Sequence, residues 1–283
     1  MRIALLLASV LISSAFGNSI SYVDLFHTQL FTQTGAAQPT TPQYYFAADV
    51  NMENPADFNA ATITPFGGSV MNMTLNAGGL SFGLSSSVFS DLATFDSLYP
   101  TGMYSFTATD STNANPDSPQ TVGNAAYSDA FGTAIPFVTD YVLLSGLNTA
   151  NPFVVTWNPF AGALTGGNNS GLIFFDIFNH STGVNVFSQA FLPGTTTSAT
   201  IAGMTLAPNT QYDFQLVFSN RQIGTYSFGG ADFNPLLGSD LRTSGSFTTG
   251  AAAAPEPSTF FVIGAGLAAL LATRCRSLIP TRS

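Results

Sequence analysis

In the run 212–218, YDFQLVF, the large apolar side chains Tyr212, Phe214, Leu216 and Phe218 recur at every second residue. That is the period of a strand with one face buried. Comparable runs bounded by Gly, Pro and Asn occupy 44–50, 61–64, 69–75, 102–109, 137–144, 153–157, 172–178, 184–191, 198–204 and 245–248. No long stretch carries the 3.6-residue period of an amphipathic helix, and only 90–98 offers a short helical turn. Composition points the same way. Charged residues make up 7% of the chain and lysine is absent, against about 25% charged residues in ordinary soluble proteins. Helical surfaces are filled with Glu, Lys, Arg and Gln, whereas Thr, Tyr and Phe suit strands. An all-β sandwich architecture follows.

A chain of 283 residues with 45% hydrophobic content has material for two cores. The division is expected near 133/134, giving a sandwich over 18–133, a second over 134–249, and a linker at 250–254. The polar segment 110–126, DSTNANPDSPQTVGNAA, reads as a loop or interdomain connection from its Asn, Asp, Ser and Pro content. No repeat of fixed period marks a propeller or a β-helix.

The second half carries the sharper local pattern. Residues 153–157 end in Trp157, the only tryptophan, and Leu206-Ala207-Pro208-Asn209-Thr210-Gln211-Tyr212 leads into the alternating run. This Leu-x-Pro-x-Thr-x-Tyr segment resembles the tyrosine corner of fibronectin type III and related immunoglobulin-like domains. There a phenolic hydroxyl bonds back to nearby backbone and fixes the corner between two sheets. The resemblance spans 135–249 and makes Trp157 and Tyr212 structural core residues, with 221–242 as an insertion.

Both ends of the chain read as targeting segments. Met1-Arg2, the aliphatic run 3–12 and the small-residue exit 13–17 have the order of a secretory signal peptide, so the mature chain is expected to begin near Asn18. At the other end, 259–273 is uncharged and apolar, and Arg274 and Arg276 follow it. Fifteen helical residues rise only about 22 Å, short for a hydrocarbon core of about 30 Å. The arginines form a membrane stop on the cytoplasmic side, leaving 278–283 as a short tail. Pro255 and Pro257 keep the preceding backbone extended. Together, Pro255, Glu256, Pro257 and Ser258, the apolar run and the basic end resemble the PEP-CTERM sorting signal of Gram-negative bacteria over 255–277. The resemblance implies processing by an exosortase, a membrane enzyme to which these residues are substrate, and a destination at the cell surface or in an exopolysaccharide-rich matrix. Cys275 interrupts a basic cluster that is more often continuous in that family.

The exported part carries fourteen acidic residues against Arg221 and Arg242. Such a surface repels nucleic acid, which is therefore excluded as a partner. With its single cysteine behind the apolar run, the body is not a disulfide scaffold. Candidate chemistry is thin. Gly79-Leu80-Ser81-Phe82-Gly83 matches the G-x-S-x-G hydrolase elbow but sits in a strand-like context rather than at a strand-to-helix turn. His27 and His180 lack ligand-spaced neighbours and are expected at a surface or a turn. Asp110, Asn113, Asn115 and Asp117 offer oxygen ligands, without the central Gly and terminal Glu of a known calcium loop. No catalytic residue, metal ligand or cofactor is assigned. The fourteen acids leave paired glycosidase carboxylates open, because separation in space is not written in the sequence. The expectation is an exported structural or adhesive protein that is not an enzyme; the alternative is a secreted glycan-binding or glycan-hydrolysing module.

Overall fold

The computed structural model describes residues 20–55, 58–110, 120–224, 226–228, 231–233 and 235–251. The expected signal peptide and the sorting tail lie outside the described residues, as do 111–119 of the polar loop. In the first half, strands β1 (Ile20–Gln33), β2 (Gln43–Met52), β3 (Phe58–Pro65), β4 (Met71–Asn72), β5 (Thr74–Leu75) and β6 (Ser81–Ser85) precede helix α1 (Leu92–Leu98), β7 (Gly102–Asp110) and β8 (Gln120–Tyr127). The second half comprises helix α2 (Tyr141–Leu144), then β9 (Phe153–Thr156), β10 (Asn169–Asn179), β11 (Asn185–Pro193), β12 (Ser198–Ile201), β13 (Gln211–Ile223), β14 (Tyr226–Phe228), β15 (Ala231–Phe233) and β16 (Leu236–Thr248). The all-β reading holds.

One eight-stranded sheet, in the order β11-β10-β13-β16-β1-β2-β6-β5, runs through both halves. Its centre is β1 against β16, paired in parallel from Asp24 opposite Leu236 to Gln33 opposite Gly245. Strands of one face recur with period two, so Val23, Leu25, His27 and Phe31 project to the same side of β1. Two hydrophobic cores lie along that side. The first holds Leu25, Phe46, Ile63, Tyr104 and Phe106, all fully buried, and is closed by the sheet β4-β3-β7-β8. The second holds Ile173, Phe175, Ile177, Phe214, Leu216 and Phe218 and is closed by the β12-β9 pair. β1 and β16 serve both, Leu25 and Leu237 in the first, Phe31, Leu241 and Phe247 in the second. Each such apolar side chain removed from water contributes roughly 1.5–3 kcal/mol.

Several local expectations are corrected. Residues 120–126 are strand, not loop. Opposite Tyr104 and Phe106 the ladder places Ala125 and Gly123, and a methyl group and a bare Cα leave room for the two rings while giving the sequence a linker-like texture. The expected strand over 137–144 reduces to a bridge between Val138 and Trp157 followed by α2. The segment 221–242 is not a simple insertion: both ends continue β13 and β16 in register, from Arg221 opposite Gly238 to Ile223 opposite Leu236. The helical turn near 90–98 is α1, capped by the Asp91 carboxylate, which accepts from the Thr94 amide at 2.8 Å, an arrangement that satisfies an otherwise orphaned N–H.

Each core has a tyrosine at a corner. The Tyr212 oxygen accepts from the Ala207 N–H at 2.8 Å, and the Tyr104 hydroxyl donates to the Pro100 carbonyl at 2.7 Å. Burial holds the Tyr104 phenol well above its ordinary pKa, so it keeps its proton and remains a donor. Tyr104→Phe and Tyr212→Phe each retain the ring and lose one hydrogen bond, and each is expected to lower stability by about 1 kcal/mol. Denaturant midpoints of the two variants measure this, and unchanged midpoints would show the corners to be incidental.

Candidate functional site

The residues assigned to sorting, Pro255, Glu256, Pro257, Ser258, Arg274 and Arg276, lie outside the described residues, as does 259–273. Among the described residues no helix is long and apolar enough to cross a membrane. What the structure places is the point from which the tail departs. β16 ends at Thr248, and the next two residues are tied down on both sides. Thr248 accepts from Gly146 N–H at 2.8 Å, Gly250 donates to Leu147 at 2.9 Å, and Asn209 N–H donates to Gly250 at 2.9 Å. The Thr249 hydroxyl donates to the Ala207 carbonyl at 2.7 Å and accepts from Thr210 N–H at 3.0 Å. A side chain on Gly250 would meet the Gly146 carbonyl at 2.5 Å, so this tight passage requires glycine. The tail thus leaves from the corner that Tyr212 pins.

Trp157 is buried, packs 5.5 Å from Phe175 and donates from its indole nitrogen to Thr196 at 2.9 Å. Its ring faces the core and offers no stacking platform to a sugar.

The two histidines part company. His180 is half exposed at the turn after β10, bonded through Nδ1 to Asp213 at 2.8 Å. Ser246 donates to the same carboxylate at 2.6 Å. Beside them a shallow groove of about 330 Å³ is lined by Thr32, Phe178, Asp213, Gln215, Ser244 and Ser246. Hydroxyl, amide and carboxylate groups beside an aromatic ring can hydrogen-bond and pack against a small polyol. His27, expected at a surface or a turn, is instead 1% exposed. It is held between Phe46, Phe95 and Tyr127, whose ring lies 4.2 Å away, with Asp129 3.2 Å from Nδ1. Its place on the core-facing side of β1 accounts for the burial.

His27 sits in a polar seam between the two cores. The Tyr127 hydroxyl donates to Asp129 at 2.9 Å and lies 2.8 Å from Ser239 Oγ, which also accepts from Ala130 N–H. Ser239 is 2% exposed and is engaged with Tyr127 and Ala130. Such a serine stitches the fold; a nucleophile needs an open approach and a base within hydrogen-bond reach. Ser81 of the G-x-S-x-G match begins strand β6 and accepts from the Asn76 amide at 2.6 Å. The expected strand context is present there.

On the opposite side of the large sheet lies a charged cluster. Arg221 stands 4.1 Å over the Phe26 ring and 3.7 Å from Asp240, and Ser219 donates to Asp240 at 2.6 Å. Gly238 admits this stack, because a Cβ there would lie 2.0 Å from the Phe26 ring. Asp24 and Asp49 are cross-strand partners. Burial, then the neighbouring Asp49 charge, pushes Asp24 up to about 7. Burial also raises Asp49. Among the described residues no three His, Cys, Asp or Glu side chains group as metal ligands. The oxygen-rich positions Asn113, Asn115 and Asp117 lie outside the described residues, and for Asp110 only the backbone is described.

Sequence reading missed three amides that hold the crossing between the cores. Gln33 donates to the Val138 carbonyl at 2.8 Å and accepts from the Val138 N–H at 2.9 Å. Asn158 accepts from Phe137 N–H at 2.8 Å and donates to Ile135 at 3.0 Å. Asn220 donates to Ala130 at 2.6 Å and accepts from Leu164 N–H at 2.8 Å. Their signal was faint: isolated amides flanking apolar runs.

Residues 253–277 match the family model of the PEP-CTERM protein-sorting motif. This motif implies export, sorting by an exosortase and processing at the membrane. No curated protein matches the chain. Among solved structures it is similar to the FN1–FN3 domains of chicken CNTN1, at 12% identity and a TM-score of 0.24, covering 72% of this chain and 62% of that one. It is similar also to trypsin-activated alpha-2-macroglobulin from Escherichia coli, at 11% identity and a TM-score of 0.21, covering 83% of this chain and 16% of that one. A third is the pilus backbone protein RrgB from Streptococcus pneumoniae, at 11% identity and a TM-score of 0.20, covering 81% and 60%. The tail motif, rather than these distant likenesses, bears on function.

Proposed function

We propose that the protein is exported, held at the membrane by its tail, processed there by an exosortase, and displayed at the cell surface or in the extracellular matrix. Its β-rich body serves there as a structural or adhesive element without a catalytic step of its own, and exopolysaccharide is the matrix partner. The observation that carries this reading is the junction. The PEP-CTERM match at 253–277 begins three residues after Gly250, among the described residues the last that is tied into the fold by hydrogen bonds on both sides. A processing enzyme can therefore cut or rejoin the chain at Pro255-Glu256-Pro257 without unravelling β16. The lysine-free, weakly charged surface also supports a role outside the cell, where hydroxyl and amide groups face water and polysaccharide rather than nucleic acid. The mass of the C-terminal peptide, compared between membrane and medium in cells with and without the exosortase, tests it. The released protein is expected to end within the Pro255–Ser258 region only when the enzyme is present. A chain intact to Ser283 in the membrane, whether or not the enzyme is present, would make the tail a permanent anchor and overturn the proposal.

A further inference from the structure

The end of the sandwich from which the tail departs differs from the rest of the surface. β1 ends at Gln33 opposite Gly245, β10 at Asn179 opposite Tyr212, and β13 begins at Gln211 opposite Thr248. The connections 34–42, 180–184 and 202–210 therefore gather where β16 ends, and 145–150 is bound to it through Gly146 and Leu147. Not one of these segments, nor 141–144 or 249–254, contains Asp, Glu, Lys or Arg. The opposite end, by contrast, carries Glu53, Asp110 and Asp232. Two acids that adjoin this end are engaged: Asp140 accepts from Thr156 N–H at 3.2 Å, and Asp213 holds His180 and Ser246.

This uncharged end also exposes large apolar side chains. Val142 and Leu143 on α2 are 62% and 63% exposed, Val184 58%, and Met204 84%. Met204 is held out on a left-handed backbone, φ 65°, a conformation that is strained for a non-glycine residue. From Ala251 to Thr259, where the apolar run starts, eight residues reach at most about 28 Å. The far end of β16 lies about another 40 Å away at strand rise.

We propose that this end of the sandwich is a lipid-contacting surface. While the tail is inserted, Val142, Leu143, Val184 and Met204 seat in the interfacial layer of the phospholipid bilayer and fix how the body stands over it. The inference rests on the tail reading above and adds to it a second, reversible contact. Charge distribution selects the occupant. A body with a formal charge near −12 is repelled by an anionic bilayer least at the end whose connecting segments carry no carboxylate, and apolar side chains there gain by leaving water.

The test uses the full chain with Cys275→Ser, carrying Leu143→Cys, Met204→Cys or, as the far-end control, Asn59→Cys. Each is labelled with an environment-sensitive fluorophore and mixed with phosphatidylethanolamine/phosphatidylglycerol vesicles. Labels at 143 and 204 are expected to shift to the blue and to lose about twofold in intensity with nitroxide-bearing lipid, as groups seated about 5–10 Å into the interface do. The label at 59 is expected to do neither. Protein that floats with the vesicles while all three labels report water would overturn the surface and leave the tail reading standing. Protein that does not float would overturn both. A blue shift without vesicles, growing with protein concentration, would assign the patch to a second copy of this chain and overturn the lipid contact.

Discussion

Gln33→Met is expected to destabilise the protein by about 3–5 kcal/mol, a large share of the stability of a domain of this size. Gln33 is 1% exposed at the end of β1. Its amide meets both backbone groups of Val138 and donates also to the Gly35 carbonyl at 2.9 Å. The other side of this short segment is paired with β9, through Thr139 N–H to Thr156 and Asn158 N–H to Phe137. The side chain thus completes a ladder for which no further strand is available. Methionine fills the volume but leaves a buried N–H and a buried C=O unpaired, at about 1–3 kcal/mol for each group. Gln38→Met, at an exposed loop position, is the control and should fall within about 0.5 kcal/mol of the parent. Urea unfolding of the full chain in detergent measures both. A loss below 1 kcal/mol at Gln33 would mean that water replaces the amide.

Asp24→Asn should stabilise the protein at pH 8 and leave it unchanged at pH 4. The unfolded carboxyl has an ordinary pKa, while the folded one is pushed up to about 7 by burial and by Asp49, with Arg221 opposing. The native state thus binds the extra proton between these values, and stability falls as pH rises from about 4 through 7. Above pH 7 the whole penalty is present. A displacement of this size corresponds to about 4 kcal/mol, and partial exposure reduces it, so about 2–3 kcal/mol is expected. Asp49 is raised as well and strengthens the same trend. Melting temperatures of parent and variant at pH 4, 6 and 8 should diverge steadily. Equal curves at all three values would show that water reaches the carboxylate and screens it.

Periodicity made the strands legible, and the Leu-x-Pro frame drew attention to Tyr212. The same frame stands in the first half as Leu98-Tyr99-Pro100-Thr101-Gly102-Met103-Tyr104, but glycine where the second half has Thr210 breaks the pattern, and only the Tyr104 bond to Pro100 marks it as a corner. The parallel pairing of β1 with β16 could not be read, because partners about 210 residues apart leave no local pattern. Each strand alternates equally well against any neighbour. For the same reason His27 looked like a surface residue: a lone histidine states its face only once the register of its strand is known. Gln33, Asn158 and Asn220 resemble loop amides until the backbone they satisfy is laid across them. The uncharged end likewise exists only as a gathering of distant turns.

Among the described residues the first strand pairs with the last, and this has a mechanical meaning for a chain pulled from its two ends. Because β1 and β16 run in the same direction, the entering end of one and the leaving end of the other lie at opposite extremes of the pair. A pull between the start of β1 and the end of β16 therefore loads the ladder in shear. Ten register positions, from Asp24 to Gln33, resist together, whereas an antiparallel pair pulled from a shared end would unzip one rung at a time. Force carried from one end of the body to the other thus meets this parallel seam lengthwise.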